Sequence, residues 1–368
     1  MLPNILAGLL YYLDFLRFWR KTYCNLFEFC YALTVIRSNY PRLRGGCGLQ
    51  ESREYRLFCP SGMEATLLGA GASLARVRVP DREGAFANVA LASRAPDDPT
   101  FAGAVLAPYA GRIPGGRLRV GEETVQLACN EGSNQLHGGA HTLSHRPWAC
   151  DGLGEGPDWQ EIAFSAEAAD GEDGFPGNRR FTAVYRLYAG QRLELTLTAE
   201  TDRPTRVNLS HHPYFNLSGD FSRNVGDHLL CIPARAVYLC DAAFLTSGRA
   251  EPPPAALDFT RARRIGDAPE DAQLALARGL NHCYVLSSGA DGLAAALVHP
   301  ASGRRLRLYT DAPCLTAYAG GFLSPQNSAL ALEAQGHPES PFAPAAAPLR
   351  PGEIFHRRMV YRFDTVPD

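Results

Sequence analysis

Apolar and polar residues alternate with a period of two along much of the chain, and turn-forming residues interrupt the alternation at short intervals. Residues 75–79 alternate valines with arginines, and residues 118–127 break at Gly121 as a β-hairpin would. This period is typical of strands with one buried face, so the pattern predicts antiparallel strands joined by tight turns.

The clearest predicted hairpin spans residues 181–201, where FTAVYRLY and LELTLTAET flank AGQR. We expect one face to carry Val184, Leu187, Leu193, Leu195 and Leu197. We expect Arg186, Glu194, Thr196 and Thr198 mainly on the other face. Further strands are predicted at residues 304–310, 330–335 and 354–363, and helical patterns are scarce.

The chain has 368 residues, with 35 glycines and 27 prolines, which favours many short strands over long helices. No repeat period and no linker divides residues 51–368. The sequence therefore predicts an all-β fold, a large antiparallel β-sandwich, formed by residues 51–368 as a single domain.

Residues 1–50 differ from the rest because they are rich in Leu, Tyr, Phe and Cys. Charged residues interrupt each apolar run before it reaches the ~18 residues of a membrane span. No basic residue precedes the first apolar run, so a signal peptide is a poor fit. We interpret residues 1–50 as an N-terminal extension outside the fold, with an amphipathic anchor or partner helix as the alternative.

The formal net charge is only -2, which argues against a nucleic-acid partner and favours a small neutral ligand. The 10 cysteines have irregular spacings and form no CxxC pair. They are predicted to be free, mostly buried thiols, which points to a cytoplasmic location. The sequence contains no P-loop and no GxSxG nucleophile motif, so neither a nucleotide site nor a serine hydrolase of that type is expected.

Three histidines, His137, His141 and His145, follow one another at four-residue spacing, which on a helix would form a metal-binding face. Gly138 and Gly139 interrupt the first interval, and the chain has no HExxH motif. The spacing therefore does not predict a zinc site.

Four further residues have side chains suited to catalysis or ligand binding, namely His211, His212, Glu333 and Arg112. Adjacent residues of a strand face opposite sides, so at most one histidine of the pair should point into a given site. Glu333 lies in an apolar run, where it is either paired at a sheet edge or partly desolvated, and desolvation makes a carboxylate a better base near neutral pH. Arg112 lies in a loop rich in glycine and proline, where it would either bind hydroxyl or carboxylate groups or be solvated.

Six segments, in this order, resemble those of the aldose 1-epimerase family, also called galactose mutarotases, over roughly residues 55–365. They are YAGRIPGG, NQLHGG with RPW downstream, NLSHHPYFNLSG, GLNHCYVL, AYAGGFL and LALEAQGHP. The resemblance implies a galactose mutarotase-like supersandwich as the fold. It also implies interconversion of the α and β anomers of free aldohexoses such as galactose and glucose.

The resemblance assigns roles to individual residues. Glu333 matches the family's catalytic base and His212 its catalytic acid, whereas Arg112 and His137 match residues that hold sugar hydroxyls. Asn281 stands where the family usually has an aspartate that grips ring hydroxyls. An asparagine keeps an acceptor and adds donors, but it removes a negative charge. Gly111 stands where an asparagine commonly precedes the arginine.

The implied reaction needs an ionised glutamate and a protonated histidine at neutral pH, and we expect a bell-shaped pH profile. It needs no cofactor and no metal. The expected partner is a small-molecule sugar, with no nucleic acid and no membrane, and the protein is expected to be a monomer or a homodimer.

Three alternatives stay open. A hexose-6-phosphate 1-epimerase would need cationic groups for the phosphate, and arginine pairs at 179–180, 263–264, 304–305 and 357–358 could serve. A non-catalytic sugar-binding or regulatory relative would fit the changes at Asn281 and Gly111. A polysaccharide lyase or hydrolase would rest on analogy of fold alone.

Overall fold

The computed structural model describes residues 54–92, 98–287, 292–339 and 346–367. The predictions made for residues 1–50 lie outside these ranges. Within them, regular structure is almost all β-strand, with one short α-helix, α1 (Ala272–Leu276). No helix of the described residues is long and apolar enough to span a membrane.

Strands follow one another along the chain with short connections. The first ten are β1 (Glu54–Phe58), β2 (Glu64–Leu68), β3 (Ser73–Pro80), β4 (Phe86–Asn88), β5 (Ala90–Leu91), β6 (Val105–Leu106), β7 (Arg112–Ile113), β8 (Arg117–Val120), β9 (Glu123–Gln126) and β10 (Gln135–Leu136). The next eight are β11 (Ala149–Gly156), β12 (Trp159–Ala168), β13 (Arg179–Tyr188), β14 (Arg192–Thr201), β15 (Ser210–His211), β16 (Tyr214–Phe215), β17 (Leu229–Cys231) and β18 (Ala234–Cys240). The last eight are β19 (Thr246–Glu251), β20 (Arg263–Arg264), β21 (Asn281–Leu286), β22 (Leu293–Val298), β23 (Arg304–Thr310), β24 (Cys314–Tyr318), β25 (Leu330–Gln335) and β26 (Phe355–Thr365).

Two large sheets dominate the fold. One has nine strands in the order β11-β12-β13-β14-β26-β23-β22-β17-β20, and the other has seven in the order β19-β18-β21-β24-β25-β16-β5. Their strand pairs are antiparallel. Inward residues of both sheets, such as Leu195 of β14 and Leu332 of β25, belong to one apolar core. The predicted all-β antiparallel sandwich is confirmed.

The predicted hairpin at residues 181–201 forms as β13 and β14, with Tyr185 opposite Leu195. One assignment within it is wrong, because Val184 does not share the face of Leu187. Strict alternation turns Ala183, Tyr185 and Leu187 into the core and leaves Val184 on the outer face, opposite Thr196. Positions 184 and 187 differ by an odd number of residues, so they point to opposite faces of the strand.

The seven described cysteines are all free thiols, as expected, although only Cys59, Cys283 and Cys314 are buried. The expectation of mostly buried thiols is therefore wrong for the described residues. Cys129, for example, lies in the exposed loop after β9, and Cys150 lies on the edge strand β11.

The seven-stranded sheet positions the candidate site on the face opposite the core. Cross-strand neighbours Cys283, Thr316 and Glu333 lie in one row across β21, β24 and β25, and Asn281 and Tyr318 lie in the next row on the same face. Residues of the intervening parity, such as Leu332, point into the core instead. The register of three strands thus collects polar side chains on one surface.

Candidate active site

Glu333 and His212 meet on this surface. Oε1 of Glu333 lies 3.4 Å from Nε2 of His212. Both residues are almost fully buried, with 3% and 4% of their surface accessible. Glu333 comes from the middle of β25, whereas His212 lies between the short strands β15 and β16. The structure therefore brings together the two residues to which the family resemblance assigns the roles of base and acid.

His212 is held firmly by its backbone and its ring. Its N–H donates to the carbonyl of Ala104, and its own carbonyl accepts from the N–H of Gly103, both at 2.9 Å. Its ring packs at 4.8 Å between centroids on Tyr214. The neighbouring His211 points the opposite way into the core, where its ring nitrogens lie 2.9 Å from the hydroxyl of Tyr361 and 3.0 Å from the Gly103 carbonyl. As predicted, only one histidine of the pair faces the site.

His137 reaches the same place through an unusual backbone turn. Its φ is 49°, and Gly138 follows at 92°, a left-handed conformation that glycine adopts readily. A Cβ on Gly138 would lie 2.7 Å from Cδ of Pro108, so no larger residue fits there without a shift. Gly138 and its neighbour Gly139, which argued against a helical metal-binding face, allow the turn that brings His137 close to His212. The two ring centroids are 5.7 Å apart.

The hydrogen bonding of His137 fixes its tautomer. The N–H of Gly111 donates to Nδ1 of His137 at 3.2 Å, so Nδ1 is an acceptor and Nε2 of the neutral ring carries the hydrogen. Burial, together with the nearby His212, lowers the pKa of His137 well below its usual range and keeps this ring neutral. Gly111 has a φ of 83°, which asparagine also tolerates, so the backbone role survives the departure noted in the sequence.

The charge state of the central pair differs from the one expected. Burial lowers the pKa of His212 to about 4 and raises the pKa of Glu333 to about 8, although Arg112 acts to lower the latter. Between these values the pair holds one proton, and desolvation places it on the carboxyl group, giving two neutral groups. Burial therefore favours two neutral groups in the free site, and the ionised Glu333 with a protonated His212 that the reaction needs stays a prediction for the sugar-bound site.

Arg112 and Asn281 line an adjoining cleft, together with Phe244, Thr316 and Gln335. Arg112 begins β7, and its Nε and Nη2 groups donate to the two carboxylate oxygens of Glu131 at 2.6 and 2.7 Å. Its positive charge acts on both Glu333 and His137, which connects the cleft to the buried pair. Asn281 begins β21, and its backbone N–H donates to Nδ1 of His282 at 3.2 Å.

The donor atoms of His137, His212 and Glu333 lie within 4.8 Å of one another, and two histidines with a glutamate can also bind zinc. The tautomer of His137 opposes this, because its Nδ1 lone pair already accepts from Gly111 and its Nε2 presents a hydrogen. The trio is better suited to hydrogen-bonding a polar ligand than to holding a metal. His141 lies elsewhere, bonded to Asp173, so the three evenly spaced histidines share no centre in the described structure.

Several site residues escaped the sequence analysis. Tyr214 and Tyr318 pack their rings on His212, and Phe101 stacks near it at 6.5 Å between centroids. The two tyrosines lie inside the quoted segments HHPYF and AYAGG, so the alternation of those strands carried a usable signal. Glu131 carried none, because its pairing with Arg112 arises only when β7 and β10 come together.

Comparison with known proteins gives one consistent family. The family model described as "Aldose 1-epimerase" matches residues 53–362. The aldose 1-epimerase of Escherichia coli (strain K12) is 33% identical over 339 residues, covering 85% of this chain and 96% of that protein. The galactose mutarotase of Mus musculus is 30% identical over 351 residues, covering 90% and 99% respectively.

Solved structures agree with these sequence matches. A GalM/aldose epimerase homologue from C. elegans superposes with a TM-score of 0.78 at 26% identity, covering 86% of this chain and 100% of that chain. A galactose 1-epimerase from Lactobacillus acidophilus NCFM gives a TM-score of 0.77 at 28% identity, covering 85% and 95%. Both superpositions cover more than four fifths of this chain.

Proposed function

The chain belongs to the aldose 1-epimerase family, a family of isomerases, and from this premise we propose that it interconverts the α and β anomers of free aldohexoses such as galactose and glucose at Glu333 and His212. The observation that carries the proposal is the 3.4 Å contact between these two buried groups, beside the cleft that Arg112 and Asn281 line. An acid and a base in contact with one pyranose ring are what anomer exchange requires.

The proposed reaction opens and recloses the sugar ring. Glu333 removes the proton from the C1 hydroxyl, the C1–O5 bond breaks as the C1 carbonyl forms, and His212 gives its proton to the ring oxygen. The aldehyde turns about the C1–C2 bond, and the C5 hydroxyl attacks its other face. His212 takes back the proton from that hydroxyl, and Glu333 returns a proton to the new C1 hydroxyl.

The resting proton must first move from Glu333 to His212. The sugar provides a reason for this transfer, because its hydroxyl groups donate hydrogen bonds to the carboxylate and thereby favour the ionised form. The 3.4 Å separation allows direct transfer once the groups draw slightly closer. In the reactive state the proton lies on His212 and Glu333 is ionised, and the total charge of the pair is unchanged.

The other predicted residues would hold the sugar. Nε2–H of His137 is a fixed donor, and Asn281 offers both an acceptor and donors at the cleft wall. The scheme uses no cofactor and no metal. A cytoplasmic location and a monomeric or homodimeric state accompany the proposal as predictions.

A 6-phosphorylated substrate has less support than a free aldose. None of the arginines in the four pairs considered lines the described cleft. Arg305 binds Asp364, Arg358 binds Glu194, and Arg304 donates mainly to backbone carbonyls. These side chains already have partners outside the cleft.

The test is polarimetry on freshly dissolved α-galactose, α-glucose and glucose 6-phosphate, with the spontaneous rate subtracted. We expect Glu333→Gln and His212→Asn each to lose most of the catalysed rate, by about 10²-fold or more. Glu194→Gln and His356→Asn, which change the same residue types on β14 and β26, are the matched controls and are expected to keep it. If both site variants relax the sugars as fast as the unaltered protein, the assignment is wrong. If the protein turns over glucose 6-phosphate faster than galactose or glucose, the phosphorylated sugar is the substrate and the free aldose is not.

A further inference from the structure

The ion pair between Glu131 and Arg112 is built more rigidly than an ordinary surface pair. Both carboxylate oxygens of Glu131 accept from the guanidinium, at 2.6 and 2.7 Å. The backbone of Glu131 is fixed in turn, because it exchanges hydrogen bonds with Asn134 across a tight turn. A bidentate pair with a fixed backbone holds its arginine in one orientation, which a single flexible contact does not.

That orientation leaves the other side of the guanidinium facing the cleft. The hydrogen bonds to Glu131 use Nε and Nη2, and Cζ of Arg112 lies 5.1 Å from the ring centroid of Phe244. Nη1 makes no hydrogen bond to the described residues. Because Arg112 lines the cleft, the two N–H groups of Nη1 are available to a ligand bound there.

Glu131 also bears on the charge balance of the cleft. The family resemblance leads one to expect an aspartate at position 281, and this chain has Asn281 there, on the same cleft wall as Arg112. Glu339, the carboxylate that itself lines the cleft, is committed to Arg206 and to the hydroxyl of Tyr109. Among the described carboxylates, Glu131 is the one bonded to Arg112.

We propose that Glu131 is a positioning residue that fixes Arg112 for sugar binding and provides the balancing carboxylate that position 281 lacks. This inference rests on the proposed function, since it assigns Arg112 to the sugar. If this is correct, positions 131 and 281 can substitute for each other as the source of a carboxylate. Introducing an aspartate at position 281 should then partly compensate for removing the carboxylate of Glu131.

Removing Glu131 should also change the pH dependence of activity, because it changes the electrostatic field at Glu333. The titratable and charged groups that face Glu333 are His212, His137, Arg112, Tyr214 and Tyr318. Removing Glu131 leaves the charge of Arg112 uncompensated, and a stronger positive field favours the ionised carboxylate. The descending limb of activity should therefore move to lower pH. A residue that only stabilised the fold would not move it.

The test compares Glu131→Gln with Glu194→Gln, which removes one partner of a similar bidentate pair, to Arg358, far from the cleft. We expect Glu131→Gln to raise the KM for galactose about tenfold with a smaller change in kcat. We expect the descending limb to fall by about half a pH unit to one unit. Adding Asn281→Asp should recover at least half of both effects, and Glu194→Gln should change neither.

Two outcomes overturn the inference. One is a Glu131→Gln variant that keeps the unaltered KM and pH limb. The other is a double variant with Asn281→Asp that recovers neither effect. Calorimetric measurement of galactose binding distinguishes a failure of this inference from a failure of the proposed function. In a Glu333→Gln background, adding Glu131→Gln should still lower the affinity for galactose, whether or not Glu333 and His212 carry out the chemistry.

Discussion

Replacing Glu333 by glutamine is expected to make the protein more stable while removing its proposed activity. Glu333 is nearly fully buried, and desolvation raises its pKa from 4.5 to about 8. A carboxyl group whose pKa is higher in the folded state than in the unfolded state opposes folding as soon as the unfolded chain ionises. Glutamine keeps the shape of the side chain and never ionises.

The size of the effect follows from the two pKa values. Each pKa unit corresponds to ~1.4 kcal/mol, and the penalty begins as pH rises through 4.5 and levels off above about 8. It amounts to about 1 kcal/mol at pH 5, about 3 kcal/mol at pH 7 and about 5 kcal/mol at pH 8.5. The glutamine variant should gain these amounts of unfolding free energy over the unaltered protein, apart from a constant offset for the amide itself.

Urea unfolding at these three pH values, followed by tryptophan fluorescence, measures the difference. His212 is present in both proteins, so its own titration largely cancels. Glu161→Gln is the matched control, because Glu161 is equally buried on a strand but its carboxylate accepts from Nε of Arg186 at 2.6 Å. That variant should lose about 3 kcal/mol at every pH, since it leaves a charge without its partner.

A difference between Glu333→Gln and the unaltered protein that stays constant from pH 5 to 8.5 would refute the reasoning. It would mean that Glu333 titrates in the folded protein as it does in water, and that burial does not govern the site. A difference that shrank with pH would reverse the sign of the argument altogether.

Three further results are expected. Activity toward galactose should follow a bell-shaped pH profile with limbs near pH 4 and pH 8, because His212 and Glu333 share one proton only between these values. A rate that stays constant through both pH values would contradict this. His211→Leu should lower the free energy of unfolding by about 2–4 kcal/mol, measured in urea, because it removes the buried hydrogen bonds of the ring to Tyr361, Gly103 and Tyr185, while the folded protein keeps its kcat. Gly138→Ala should raise the KM for galactose several-fold in initial-rate titrations, because the new Cβ would meet Pro108 at 2.7 Å and displace His137; an unchanged KM would show that the turn has room.

The strands and the identity of the central pair could be predicted from the sequence because both depend on local patterns. Alternation identified β14 and β26, and the resemblance of the HHPYF and LALE segments to the aldose 1-epimerase family identified His212 and Glu333. Sheet order could not be predicted, because β14 pairs with β26, near the other end of the chain. The error at Val184 is different, since strict alternation from Leu187 already places Val184 on the outer face.

The charge states could not be predicted either, because they depend on three-dimensional burial. The sequence placed Glu333 in an apolar run but did not show that His212 is buried with it. It likewise gave no sign that Glu131 holds Arg112, since that contact joins a turn to a strand that pairs only in the folded chain. Motifs locate side chains along the chain, whereas their pKa values and partners depend on what packs around them.

The burial that costs stability also explains how one site can run the proposed reaction in both directions. Ring opening moves a proton from the sugar to Glu333 and another from His212 to the sugar, so the two groups finish with their proton exchanged. A solvated pair would equilibrate with water between opening and closure, whereas a buried pair 3.4 Å apart keeps its single proton and can return it to the sugar from either group. Relieving the burial, for example by shortening Tyr214 or Phe101 above His212, should therefore narrow the pH range of activity, as both pKa values relax toward their values in water and the interval with one shared proton contracts.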